Sequence, residues 1–135
     1  MEIIIIGVEP ACPRCAKVYE MAKELSKEGK DTTVKKITWD SEEAQKYGKV
    51  TTGHHIAEEY NVEVRWEEMK DLVSGEWTPK LDELLMPLKY KADEIGILMT
   101  PVVIIDGQVT FMGYVPSEAE LRRKVEEELM KSSKP

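Results

Sequence analysis

Cys12 and Cys15 stand three apart in the stretch GVEPACPRCAKVYEMA, and the chain has no other cysteine. Three readings are open for such a pair: a redox couple, half of a metal or iron–sulfur site, or two small buried residues. The thiolate is the form that attacks a disulfide. With a helix beginning here, Cys12 falls at its N-cap and Pro13 at its first position, where a missing N–H costs nothing. Free N–H groups and the helix dipole then favour negative charge on Cys12, and its pKa falls below that of a free thiol. Cys15, one turn inward, is expected to be more buried and to stay a thiol until needed. Cys12 would attack a disulfide, and Cys15 would attack Cys12 to release the product. Arg14 lies between the two, exposed or tuning them: its fixed charge favours the thiolate, and Glu9 opposes it from the preceding loop. This chemistry calls for no cofactor.

His54 and His55 raise a metal question, since two Cys and two His are a zinc donor set. Adjacent histidines point in different directions on a helix, however, and no finger-like spacing is present. A surface pair at a helix start is the plainer reading, and no metal ligand is assigned. A single CxxC shared across a dimer remains the alternative, as does a partner-docking module.

Composition narrows the setting. The 135 residues fit one domain, expected to span 1–135, and can build a core without disulfide staples. A net charge of -7, with no dense basic cluster, argues against a nucleic-acid partner. The apolar run IIII has the length of a strand, with no basic segment or cleavage site beside it, so no membrane association is expected and the cytoplasm is the expected compartment. There a CxxC pair is catalytic or metal-binding more often than structural. Abundant Lys and Glu, with Asn61 the one asparagine and Gln45 and Gln108 the two glutamines, is the pattern of a thermophile.

The elements that must position the cysteines are legible in outline. EIIIIGV (2–8) reads as a strand buried on both faces. Val18, Tyr19, Ala22 and Leu25 then mark one face of a helix, with Gly29 placed to stop it. DTTVKKITWD (31–40) is β-branched and reads as a second strand, parallel to the first across the helix. Helical pieces are expected at about 41–47, 52–60, 64–73 and 80–95. PVVIID (101–106) and QVTFMG (108–113) form a hairpin about Asp106-Gly107. A last helix opens at Ser117 and Glu120 with capping-box spacing, and Leu121, Val125 and Leu129 make its apolar stripe. Trp66, Trp77, Met69 and Met86 lie between the halves and read as core, or as a docking patch.

This order, with a CxxC at a helix start and ILMTP leading into a hairpin and helix, resembles the thioredoxin fold, and ACPRC is similar to the active site of its glutaredoxin and DsbA-type variants. The resemblance covers about 2–40 and 90–131. It implies an α/β fold with a four-stranded mixed sheet; numbered along the chain, the strands run in order 4-3-1-2. The core would comprise about 2–40 and 83–131, with a helical insertion at about 41–82. It implies a cis Pro101 facing the cysteines. Thr100 would offer its backbone to an extended substrate, and Gly113 a further contact. The substrate would be a protein disulfide or a low-molecular-weight thiol, and the electron donor an enzyme such as a thioredoxin reductase. Two departures stand out. Ile6 occupies the place of a buried acid in thioredoxins, and Glu9-Pro10 precede the cysteines where glutaredoxins carry a basic residue.

Overall fold

The computed structural model describes residues 1–8, 13–28, 32–69 and 77–132. In chain order the elements are β1 (Glu2–Gly7), α1 (Pro13–Glu28), β2 (Thr33–Thr38), α2 (Glu42–Gln45), β3 (Val50–Thr51), α3 (Gly53–Tyr60) and α4 (Trp66–Met69). They continue with α5 (Pro79–Ile95), β4 (Leu98–Met99), β5 (Val102–Ile105), β6 (Gln108–Met112) and α6 (Glu118–Ser132). The expected helix stop at Gly29 and the end of the helix expected at 64–73 lie outside the described residues.

A four-stranded mixed sheet runs in the order β2-β1-β5-β6. β1 is parallel to β2, and antiparallel pairing joins β1 to β5 and β5 to β6. The isoleucine run explains why β1 lies inside. Side chains alternate across a strand, so Ile3 and Ile5 pack with Val18, Ala22, Leu121 and Val125 from α1 and α6. Ile4 and Ile6 pack on the other face with Ile37, Ala44 and Val50. Each such isoleucine stabilises the fold by about 1.5–3 kcal/mol relative to exposure.

The β5–β6 hairpin turns at Asp106 and Gly107, with φ of 46° and 83°, the left-handed pair that a two-residue turn requires. The capping box at α6 closes in both directions, Glu120 N–H to Ser117 Oγ and Ser117 N–H to Glu120 Oε1, each at 3.1 Å. The buried part of the α6 stripe is shorter than expected: Leu121 and Val125 are buried, but Leu129 is exposed.

Two short strands escaped the sequence reading. β3 pairs in parallel with β4 as a separate two-stranded sheet. A two-residue strand is too short to show periodicity. The boundary expected at about 82–83 falls within α5, one helix from Pro79 to Ile95. Ile56 of α3 packs against Leu88, Ala92 and Met99 in a third apolar cluster. The segment after β2 is thus built into the core.

Candidate functional site

The first turn of α1, the end of β1, the loop around Thr100–Pro101 and the start of α5 meet at one end of the central sheet. Pro13 opens α1, whose first turn carries no acid. Cys12 and Glu9 lie outside the described residues. Cys15 is fully buried. It packs directly over Gly7: a Cβ at that glycine would stand 2.9 Å from Cys15 Sγ and 3.0 Å from Cys15 Cβ. Gly7 is therefore a site residue that the sequence reading missed, although a glycine ending an apolar strand was a signal of close approach. Lys36 of β2 reaches the same space, its Cε 3.9 Å from where that Cβ would be. Ile6, in the place of the buried acid, is wholly inside the core.

Arg14 is not the exposed cation that the sequence permits. It is buried, with 5% of its surface accessible. Its Nε donates to Asp82 Oδ1 of α5 at 2.9 Å, and its Nη2 donates to the Gly113 carbonyl. The second oxygen of Asp82 accepts the Val115 N–H at 3.0 Å. A buried guanidinium needs such partners, because an unpaired charge out of water is costly. Beside this network lies Tyr114, whose phenol is pushed up by burial, and further by the negative charges of Glu120 and Asp82.

The Thr100–Pro101 bond is cis. Backbone groups at both expected substrate contacts, Thr100 and Gly113, are engaged within the fold. Thr100 N–H already donates to Thr51 O of β3 at 3.0 Å, so strand addition through that donor is blocked from within. Gly113 N–H donates to Pro101 O at 2.9 Å, and its carbonyl holds Arg14. Gly113 has φ of 82°, and a Cβ there would meet Lys89 Cγ at 2.9 Å, so its role is a tight backbone crossing.

His54 and His55 are exposed and diverge, as adjacent helical residues do. His54 stacks on Trp66 with ring centroids 4.7 Å apart. His55 lies 5.0 Å from Trp39, and its Nδ1 is 2.6 Å from Thr52 Oγ1. Trp66 is exposed, while Trp77 packs against the cluster of Leu81 and Leu84. Pro13, Arg14, Thr52, His54, Trp66 and Thr100 line a small, mostly apolar cleft. No group of three or more metal-ligating side chains occurs among the described residues.

A family model described as a thioredoxin domain matches residues 88–126. That span runs from the second half of α5 through the cis Pro101 and the β5–β6 hairpin into α6. No curated protein and no solved structure matches the chain. Over those residues the chain is similar to a thioredoxin domain.

Proposed function

We propose that the protein is a dithiol–disulfide oxidoreductase of glutaredoxin- or thioredoxin-like type, with Cys12 as nucleophile and Cys15 as resolving thiol. The observation that carries this reading is the burial of Cys15 in the first turn of α1, immediately after the Cys12 position. A helix start without an acid in its first turn favours negative charge on the residue before it. The Cys12 thiolate attacks one sulfur of a substrate disulfide and expels the other as a thiolate. Cys15, having lost its proton, attacks Cys12, expels the second substrate thiolate and closes the Cys12–Cys15 disulfide. The substrate gains two electrons and the enzyme loses two; an electron donor, such as an enzyme resembling thioredoxin reductase, restores the dithiol.

Pro13 and Arg14 shape the cysteine turn, and Thr100 and Pro101 shape the opposite wall. With the Thr100 N–H engaged, a substrate backbone is held there through the Thr100 carbonyl. The substrate is a protein disulfide or a low-molecular-weight thiol in disulfide form, and the compartment is the cytoplasm. The test is thiol-dependent reduction of an insulin-type disulfide, which Cys12→Ser should abolish and Cys15→Ser should arrest as a mixed disulfide. Wild-type protein with no such activity under any reductant would sink the reading.

A further inference from the structure

The one charged residue between the cysteines is held by a carboxylate 68 positions away in sequence. Asp82 spends one oxygen on Arg14 Nε and the other on Val115 N–H. Arg14 in turn reaches the Gly113 carbonyl, and Gly113 N–H is bonded to Pro101 O. The side chains of Arg14 and Asp82 are only 6% and 12% exposed, so water screens this pair weakly. A surface arginine in this position would move freely and be shielded by solvent. This one has a fixed place and a fixed counter-charge.

Resting on the redox reading above, we propose that Asp82 is a positioning residue that sets the redox poise of the Cys12–Cys15 couple through Arg14. The reduced couple can carry a thiolate, whereas the disulfide carries no charge. A guanidinium beside it therefore favours the reduced form. Asp82 offsets that charge and pins the guanidinium to the Gly113 loop, which keeps the couple more reducing than a bare arginine would. Removing the carboxylate leaves a buried, uncompensated cation on the residue between the two cysteines in sequence, where its charge favours the thiolate.

The experiment equilibrates the full-length protein with glutathione redox buffers and titrates Cys12 by thiolate absorbance. Asp82→Asn should raise the dithiol-stabilising equilibrium constant about tenfold, equivalent to about 30 mV toward a more oxidising couple. Its Cys12 titration should move to lower pH. In an Arg14→Met background the same substitution should shift the potential far less, because the mediating cation is gone. A purely structural Asp82 would lower stability and leave both readouts in place; that result, in a folded variant, overturns the proposal, as does an equal shift in both backgrounds. Should Asp82→Asn fail to fold, Arg14→Met alone reads the coupling from the other side. It should make the couple more reducing and raise the Cys12 titration, and an unmoved potential there refutes the inference. Failure of the wild type to form any Cys12–Cys15 disulfide would instead defeat the redox reading itself.

Discussion

Gly7→Ala is the sharpest probe of how the site is packed. The added methyl would lie 2.9 Å from Cys15 Sγ and 3.0 Å from Cys15 Cβ. Heavy-atom contacts are comfortable at about 3.5–4.0 Å, so one partner must give way by about 0.5–1 Å. β1 cannot easily do so. β2 pairs with it from Glu2 to Gly7 and β5 from Ile3 to Ile6, and Trp39 N–H donates to Gly7 O at 2.9 Å. α1 must then move instead, against the buried contacts of Val18 and Ala22. Overpacking of this kind costs about 1–3 kcal/mol. For a chain of 135 residues that lowers the melting temperature by roughly 3–15 °C. Thermal and denaturant unfolding would measure it, with both cysteines kept reduced. Cys15→Ala removes the Sγ contact and keeps the Cβ contact at 3.0 Å, so Gly7→Ala should cost less in that background while remaining destabilising. A cost below about 0.5 kcal/mol in the wild-type background, or equal costs in both, would show that Gly7 and Cys15 do not pack as described.

Three further outcomes follow from burial elsewhere in the fold. Tyr114 has a raised folded-state pKa, so its unfolded form loses the proton first. Stability is then fully present below the ordinary tyrosine value of about 10 and is lost as pH rises through the folded value. Tyr114→Phe should flatten that alkaline decline in pH-dependent unfolding; an unchanged slope would remove Tyr114 as its source. Ile56 is fully buried against α5. Ile56→Ala should destabilise the whole domain by about 2–5 kcal/mol in a single cooperative transition. A separate low-temperature transition, with the remaining fold intact, would show that α3 is an independent appendage. The same burial means that deleting about 41–82 removes Val50, Ile56 and Leu81 from the core, so the deletion should fail to fold, as measured by near-UV circular dichroism.

Residues 2–7, 106–107 and 117–120 behave as their local sequence dictates. A run of isoleucines is suited to a strand buried on both faces, Asp-Gly to a left-handed two-residue turn, and Ser-x-x-Glu to a helix start. Each is settled by interactions within a few residues, and spacing alone reveals them. The helix that begins at Pro13 belongs to the same class. Tertiary structure decided what surrounds them. Arg14 meets Asp82, Cys15 closes over Gly7, and Thr51 occupies the Thr100 donor. None of these contacts has a periodic signature, because each joins segments that only the folded backbone brings together. Whether Arg14 is a solvated charge or a buried one depends on a carboxylate in another helix. Leu129, too, belongs to the apolar stripe of its helix, yet the fold leaves it exposed. The sequence by itself determined that two cysteines flank a proline and an arginine at a helix start; long-range pairing determined that this arginine is buried against Asp82.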